Sequence, residues 1–325
     1  MPIEYLCIDD ESSTDVEPLL RSVCETTNEL TISRYKPVEL GKQLEFIKTN
    51  NPDGLLLDLR LDQQKNEEGY KVPYHGLSIA QELRTRMTEK RLNHFPIVLW
   101  SVDSKFKDSY DRDATSHNLF DRIYVKDTEV TREPGRVASE LVAFVKGYRK
   151  IIELMEPVKG HFQRILGLEE GVSEAWDPRI GEKFLSQYKY PPHEYSRYIL
   201  RDLIEAQGPL IDEKVLAARL GVEIETSLDW EKCKALIVDS VYKGVFCEAW
   251  TRWWAADIEK WWLIQAGSPG PLRRLSASER VNFLKTKFNI KRLVAAKPIE
   301  EGYSSRYWTI CQGLEKPLDP IDGLR

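Results

Sequence analysis

Short apolar runs alternate with amphipathic segments along the first 150 residues of the chain. Brief apolar runs bounded by turn residues predict buried strands, and apolar residues that recur every three to four positions predict the helices between them. The predicted strands are 3–8, 30–35, 55–58, 96–100 and 123–125. The predicted helices are 16–25, 40–48, 76–87 and 134–155, with one more short helix in the polar stretch 102–120. Five β/α units of this length predict an α/β fold with a doubly wound, five-stranded parallel sheet covered on both faces.

The second half of the chain shows a different pattern, in which helical segments dominate. Met155-Glu156-Pro157 marks a break because proline ends helices, so we expect one domain at 1–150 and another at 157–325. The predicted helices of the second domain are 194–206, 212–220, 230–265 and 278–288, and a hairpin is predicted from 291–299 and 306–312. The pattern predicts a mostly helical α+β domain whose end has the element order of a winged helix.

Composition narrows the class of protein. The chain has 325 residues, about the length of two domains, and its formal net charge of −5 is too small to draw the whole protein onto nucleic acid. The five cysteines are scattered without metal-ligand or disulfide spacing, which fits a reducing cytosol. No signal peptide is visible, and the apolar runs are shorter than a membrane span needs. We therefore expect a soluble, cytoplasmic protein with no membrane partner.

Residues with useful chemistry follow four of the five predicted strands. Asp9 and Asp10 close the first strand, Asp58 closes the third, Ser101 follows the fourth and Lys126 follows the fifth. The carboxyl ends of parallel strands meet at one edge of an open sheet, and ligands bind there in such folds. Three carboxylates at that edge make a site for a hard cation and a phosphoryl group.

These positions resemble a response-regulator receiver domain over residues 3–148. The segments that carry the resemblance are 5–11 (YLCIDDE), 52–62 (PDGLLLDLRLD), 75–77 (HGL), 96–101 (PIVLWS) and 121–126 (DRIYVK). None of these motifs is specific alone, and the joint signal comes from their order on the expected elements. We recognise no family in residues 157–325.

The resemblance implies that Asp58 accepts a phosphoryl group from a histidine kinase or a phosphotransfer protein, with Mg²⁺ as the cofactor. The implied metal ligands are Asp9, Asp10, Asp58 and the backbone carbonyl of Arg60. Lys126 is expected to contact a phosphoryl oxygen, and the Ser101 hydroxyl to hydrogen-bond the new phosphoryl group. A homodimer is a further expectation.

Three features depart from that family. Asp127 follows Lys126 where the family usually has proline. Ile123 stands where an aromatic residue commonly senses phosphorylation, and Tyr124 is expected to face the other way because strand side chains alternate. The polar loop 63–75 is longer than usual and suits a partner-specific insertion. A degenerate receiver that serves only as a docking module is therefore an alternative.

The second half offers weaker signals. Trp250, Trp253, Trp254 and Trp261 follow the spacing of one helix face, which favours core packing over a stacking platform for bases. The basic segment 271–297 offers contacts to nucleic acid or to a protein partner. Its candidate contact residues are Arg273, Arg274, Arg280, Lys285, Lys287, Lys291 and Arg292.

Catalysis in the second half has few candidates. Cys247, His161 and His193 are the available nucleophile and bases, and no known catalytic spacing connects them. We therefore expect a non-enzymatic signalling protein in which phosphorylation controls a protein-interaction or regulatory domain. DNA-binding transcription control through 271–297 and an effector enzyme in the second half are the alternatives.

Overall fold

The structure is a computed structural model that describes residues 2–106, 117–155, 162–168, 178–186, 190–267 and 270–323. His161, most of the predicted break at 155–157 and part of the polar stretch 102–120 lie outside the described residues. The chain divides into two compact units, Met1–Ile165 with Lys183–Leu200, and Leu166–Glu182 with Arg201–Arg325. The domain limits 1–150 and 157–325 stay a prediction. None of the described helices is both long and apolar enough to cross a membrane.

A parallel sheet forms the centre of the first unit. Its strands are β1 (Ile3–Ile8), β2 (Leu30–Tyr35), β3 (Gly54–Asp58), β4 (Ile97–Ser101) and β5 (Arg122–Val125). Their order is β2-β1-β3-β4-β5, with every neighbouring pair parallel. The helices are α1 (Ser13–Cys24), α2 (Leu40–Asn50), α3 (Gly76–Thr88), α4 (Asp103–Lys105) and α5 (Pro134–Met155). The doubly wound α/β prediction is confirmed, because this order is the flavodoxin-like one.

Both faces of the sheet are buried, because alternate strand residues point to opposite sides. The core on one face joins the sheet to α2 and α3, and it includes Leu6, Ile8, Leu55, Leu57, Leu44, Ile47, Ile79 and Leu83. On the other face, the Tyr5 hydroxyl donates to the Leu141 carbonyl of α5 at 2.8 Å. The Tyr124 hydroxyl donates to the Glu140 carboxylate of the same helix at 2.5 Å. With both faces covered, ligand chemistry is expected at the strand ends.

Gly76 lets α3 begin against the carboxyl end of β3. Its N–H donates to the Leu59 carbonyl at 3.0 Å, and a Cβ at this position would lie 2.2 Å from the backbone oxygen of Asp58. Any side chain at position 76 would therefore push on the backbone that carries Asp58.

Three short helices follow α5, namely α6 (Phe162–Ile165), α7 (Pro178–Ser186) and α8 (Pro192–Arg197). A buried ion pair at 2.8 Å joins Arg84 of α3 to Asp121, which directly precedes β5. Asp121 also accepts hydrogen bonds from the hydroxyls of Tyr148 at 2.7 Å and Ser196 at 3.0 Å. Because Ser196 belongs to α8, this network makes α8 part of the first unit.

The second unit is mostly helical, as the sequence predicts. Its helices are α9 (Glu213–Leu220), α10 (Trp230–Ala235), α11 (Ala255–Lys260) and α12 (Ala277–Phe288). Two short antiparallel pairs accompany them, β6 (Leu210–Ile211) with β7 (Trp253–Trp254), and β8 (Thr309–Ile310) with β9 (Pro317–Leu318). Helix α12 begins at a capping box formed by Ser276 and Glu279, which satisfies backbone N–H groups at its first turn.

The prediction of one continuous helix over 230–265 is wrong. Trp253 and Trp254 lie in β7, where they pair with Ile211 and Leu210, so the helical spacing of the tryptophans does not reflect one helix face. The turn before β7 is closed by the Tyr242 N–H, which donates to the Arg252 carbonyl at 2.8 Å. The prediction of core packing is confirmed, because the tryptophans of this segment are all buried.

The predicted hairpin of 291–299 with 306–312 is also wrong. Ala295 instead forms an isolated bridge to Val222, and Thr309–Ile310 pairs with Pro317–Leu318 further along the chain. The sequence predicted two extended segments here but could not identify their pairing partners, which depend on contacts distant in sequence.

We predict that acid destabilises the first unit through His193 of α8. Burial lowers the pKa of His193 to about 2 and that of His94 to about 4, and their ring centroids lie 6.4 Å apart. Below about pH 6.5 the two imidazoles bind protons in the unfolded chain but stay neutral in the folded chain. Acid therefore favours unfolding, and the unfolding free energy that is present above pH 6.5 falls below it. For His193, the loss of unfolding free energy between pH 6.5 and pH 5 is at most about 2 kcal/mol.

Denaturant unfolding at pH 7.5 and pH 5 measures this effect. The variant His193→Gln should show a smaller loss of unfolding free energy on acidification than the wild type. His75→Gln is the control, because its side chain is 44% exposed, and it should keep the wild-type loss. Equal losses in the wild type and His193→Gln would contradict the assignment.

Candidate metal centre

The predicted site residues meet at the carboxyl edge of the sheet. Asp9 and Asp10 follow β1 directly, Asp58 and Ser101 end β3 and β4, and Lys126 follows β5. All five side chains are buried, with at most 2% of their surface exposed. Parallel strands bring these positions together because their carboxyl ends lie side by side.

The three aspartates form a compact group of oxygen ligands. Carboxylate oxygens of Asp9, Asp10 and Asp58 lie within 4.8 Å of one another. Asp10 Oδ2 accepts backbone N–H bonds from Gln63 at 2.8 Å and Gln64 at 2.6 Å. Asp10 Oδ1 is buried and has no hydrogen-bond partner among the described residues. A buried carboxylate oxygen without a partner is costly, and a hard cation would satisfy it.

The Lys126 ammonium lies among the carboxylates. Its Nζ is 2.7 Å from Asp9, 3.0 Å from Asp58 and 3.0 Å from Glu11. Burial alone would lower the pKa of Lys126, but the carboxylates of Asp58 and Asp9 outweigh burial and raise this pKa well above its ordinary value. Lys126 therefore stays charged and offsets part of the negative charge of the site.

Sequence reasoning missed a second lysine and a fourth carboxylate at this edge. Lys105 Nζ in α4 lies 2.8 Å from Glu11 and 3.3 Å from Asp58. Four carboxylates thus face two ammonium groups, which leaves two excess negative charges when all are ionised. This excess matches a divalent cation. Glu11 follows the acidic pair directly, and that adjacency was the signal available in the sequence.

Both oxygens of Asp58 have partners. Oδ1 accepts from the Ser101 hydroxyl at 2.9 Å and from Lys126, while Oδ2 accepts from the backbone N–H of Arg60 at 3.0 Å and from Lys105. The Arg60 side chain is directed to Asp62, whose oxygens it contacts at 2.8 and 2.9 Å. That the Arg60 backbone carbonyl binds the metal stays a prediction.

Burial and like charge perturb the acids of the site. Burial raises the pKa of Asp9 to about 6, opposed by Lys126 and reinforced by the nearby Asp58. Burial also raises the pKa of Asp10, against the two backbone N–H bonds that it accepts. For Glu11, ion pairs with Lys126 and Lys105 outweigh burial and lower the pKa. A cation bound among these carboxylates would relieve the repulsion between them.

The departures from the receiver pattern have clear positions. Tyr124 lies on the α5 face of the sheet, as the strand alternation predicts, and Ile123 packs against the core on the opposite face. Asp127 accepts a hydrogen bond from the Asp103 N–H at 3.4 Å, so it lies beside the start of α4. The loop after β3 supplies the N–H groups of Gln63 and Gln64 to Asp10, so part of the long 63–75 loop helps to build the site.

Arg280 does not belong to an exposed basic surface, so its assignment as a contact residue is wrong. The side chain is 0% exposed, and its guanidinium donates to the carbonyls of Leu272, Arg219 and Tyr307 at 2.8 to 2.9 Å. Burial lowers the pKa of Arg280 to about 10. Burial opposes the charge of Arg280, and its hydrogen bonds link three segments inside the second unit.

The other predicted contact residues remain at the surface of the second unit. Arg273, Arg274, Lys287, Lys291 and Arg292 are exposed, and Lys285 is half-buried. Arg273 lies over the Trp308 ring, and Arg292 pairs with Asp229 at 3.0 Å. Their role in binding stays a prediction.

The catalytic candidates do not form a group in one unit. His193 lies in the first unit, where it is nearly buried beside His94, and Cys247 lies in the second. The low pKa of His193, about 2, makes it a poor general base at neutral pH.

No protein-family model and no curated protein matches the chain. Solved structures of response regulators and their receiver domains resemble it over part of its length. NtrX from Brucella abortus is 17% identical, with a TM-score of 0.35, over 57% of this chain and 34% of its own. A CheY-like receiver domain from Methylobacillus flagellatus is 16% identical, with a TM-score of 0.30, over 41% of this chain and 95% of its own.

A response regulator from Burkholderia pseudomallei, solved with a phosphorylated aspartic acid, a calcium ion and citrate, is 14% identical, with a TM-score of 0.28, over 60% of this chain and 97% of its own. The matched part of this chain spans about a third of the NtrX chain. The chain is thus similar in part to receiver domains, as the sequence resemblance predicts.

We predict that Mg²⁺ stabilises the full-length protein and that Lys105→Met raises its Mg²⁺ affinity. The Lys105 ammonium competes with a cation for Asp58 and Glu11, so its removal should tighten binding by about tenfold. The response should weaken below pH 6, because a proton then competes for Asp9. Thermal unfolding at increasing Mg²⁺ concentration, at pH 7.5 and pH 5, measures both effects.

Lys146→Met is the control for lost positive charge, because Lys146 is an exposed lysine of α5 that pairs with Glu29. It should leave the Mg²⁺ response unchanged, and Asp58→Asn should weaken it. No response to Mg²⁺ in the wild type would refute the metal site, and an unchanged affinity in Lys105→Met would refute the competition.

Proposed function

We propose that the protein is a response-regulator-like signalling protein whose Asp58 accepts a phosphoryl group in a Mg²⁺-dependent reaction. A histidine kinase or a phosphotransfer protein is the donor, and Asp9, Asp10 and Asp58 hold the metal. The modification controls a protein-interaction or regulatory output of the second half of the chain.

One observation carries this proposal. Asp58 contacts the Ser101 hydroxyl at 2.9 Å and the Lys126 ammonium at 3.0 Å, and its carboxylate lies within 4.8 Å of those of Asp9 and Asp10. A structural ion pair needs neither the hydroxyl of Ser101 nor the buried unpartnered oxygen of Asp10. Phosphoryl acceptance uses both, because the product needs hydrogen-bond donors and the cation needs an oxygen ligand.

The chemistry is nucleophilic displacement at phosphorus. A carboxylate oxygen of Asp58 forms a bond to the phosphorus while the bond from phosphorus to the donor imidazole nitrogen breaks, and the electron pair leaves with the imidazole. When bound, Mg²⁺ neutralises charge on the transferring group. Lys126 is poised to contact a phosphoryl oxygen, since its ammonium lies 3.0 Å from Asp58. Ser101, at 2.9 Å, can donate to the product.

Phosphorylation would change the contacts of this edge. Ser101, Lys126 and Lys105 all contact Asp58 in its unmodified form, so a phosphoryl group must redirect them. Lys105 belongs to α4, and its movement would carry the change to the start of that segment. Such a shift between two arrangements is how a local charge can bias the output.

We predict that Asp58→Asn abolishes phosphorylation by a small phosphoryl donor such as acetyl phosphate in the presence of Mg²⁺. The amide cannot serve as the nucleophile, so the intact mass should show no added phosphoryl group. Ser101→Ala and Lys126→Met should be modified about tenfold more slowly or worse, because each loses a contact to the transferring group.

Asp62→Asn is the matched control, because this acid lies on the same loop and pairs with Arg60. It should accept the phosphoryl group like the wild type. Modification of Asp58→Asn at the wild-type rate would contradict the proposal. A folded wild-type protein that binds its partner but is never modified would support the alternative of a degenerate receiver that serves only as a docking module.

DNA binding is the second candidate function. The lysines and arginines at the surface of α12 and of the segments next to it favour it.

We predict that charge reversal of Lys285, Lys287 and Lys291 lowers affinity for duplex DNA and flattens its salt dependence, because each phosphate contact releases counterions. Fluorescence anisotropy at two salt concentrations measures this. Lys260→Glu, an exposed lysine of α11, is the control. Equal binding by the triple variant and the control would exclude this surface.

A further inference from the structure

A cavity beside the acidic edge has the lining of a binding site. It encloses about 540 Å³ between β2, the start of α2 and the 63–75 loop. Its lining includes Arg34, Tyr35, Lys36, Lys42, Phe46 and Asn66. Volumes of this size are typical of small-molecule sites, which combine an apolar surface with a few polar groups.

Two buried polar atoms of the lining residues have no partner among the described residues. They are the side-chain nitrogen Nδ2 of Asn66 and Nε of Arg34. Asn66 is 7% exposed, and its Oδ1 is already used by the Tyr70 N–H at 3.2 Å. Both unpartnered atoms are N–H donors, so the polar groups of these two residues favour acceptors nearby.

The charges of the lining favour an anion. Arg34, Lys36 and Lys42 supply three positive charges, against Glu67 and Glu68. The ion pair of Lys42 with Glu68 is loose, at 3.9 Å, and both side chains are more than half exposed. Such a pair contributes little, so Lys42 is available to a ligand.

Aromatic rings supply the apolar part of the lining. The rings of Tyr35 and Phe46 lie with their centroids 4.5 Å apart, and Tyr35 is 37% exposed. An exposed aromatic ring beside cations suits a ligand that has both a flat ring and an anionic group, because bases stack on such rings.

The walls of the cavity are held in place by the fold. The Tyr74 hydroxyl donates to the Val38 carbonyl, which fastens the end of the 63–75 loop to the start of α2. Within the loop, the Asn66 N–H donates to the Tyr70 carbonyl, the Tyr70 N–H donates to Asn66 Oδ1, and Gly69 takes a positive φ of 83° to close the turn. The long loop therefore has a definite role as one wall of the cavity.

We propose that this cavity binds a nucleoside monophosphate. The base lies against Tyr35 and Phe46, and the phosphate is bound by Lys36 and Lys42. The proposal is independent of phosphoryl transfer, because none of these residues contacts Asp58.

Isothermal titration of the full-length protein with AMP, GMP, CMP and UMP tests the proposal. At least one should bind saturably, more tightly than adenosine, which lacks the anion, and inorganic phosphate, which lacks the ring. Lys36→Gln and Lys42→Gln should each weaken binding by about two- to fivefold, the range of an exposed charge contact. Tyr35→Ser should weaken nucleotide binding but not the binding of inorganic phosphate.

Lys48→Gln is the matched control, because Lys48 is an exposed lysine of the same helix outside the cavity lining, and its binding should equal that of the wild type. Asp58→Asn should also bind nucleotide normally, which separates this site from the acidic edge. The proposal is overturned by no saturable binding of any of the four nucleotides, by binding no tighter than that of phosphate, or by full affinity in Lys36→Gln and Lys42→Gln.

Discussion

The Lys126 ammonium is the charge on which the carboxyl edge of the sheet depends. It is 2% exposed and lies within 3.0 Å of carboxylates of Asp9, Glu11 and Asp58. Two carboxylates about 4 Å apart repel by about 4 kcal/mol at an effective dielectric of 20, so the edge needs a resident cation. Lys105 adds a second cation, and the remaining negative excess leaves room for a divalent ion. The same charges therefore hold the strand ends together and form the candidate metal site.

The 63–75 loop joins two features that the sequence presents as unrelated. At its start, the N–H groups of Gln63 and Gln64 hold Asp10, and near its middle Asn66 lines the cavity beside β2. Arg34 belongs to both places, because its guanidinium donates to the Glu11 carbonyl and the residue lines the cavity. The loop and Arg34 thus help to build both the acidic edge and the cavity.

Local patterns predicted the first half of the chain well and the second half poorly. The strands of the first half are buried on both faces and separated by helices, so periodicity and length identify each one. In the second half, helical spacing of tryptophans coincides with a short strand at Trp253–Trp254, whose partner lies some forty residues earlier. Arg280 was assigned to a surface because its neighbours in the sequence are basic, although carbonyls from three separate segments surround it. The position of Lys105 could not be predicted, because apolar residues do not recur at regular spacing in its polar stretch.

The sequence by itself determined the order of the elements of the first sheet and the residues that end each of its strands, because both follow from patterns within a few positions of the chain. It also indicated that Asp9, Asp10, Asp58, Ser101 and Lys126 share one edge, since parallel strands align their carboxyl ends. Only the tertiary structure decided which ammonium group pairs with which carboxylate. The contact of Lys126 with Asp9 joins residues 117 positions apart. The roles of Lys105, Arg280 and the Asn66 cavity rest on similar distant contacts, which depend on packing and leave no local pattern in the sequence.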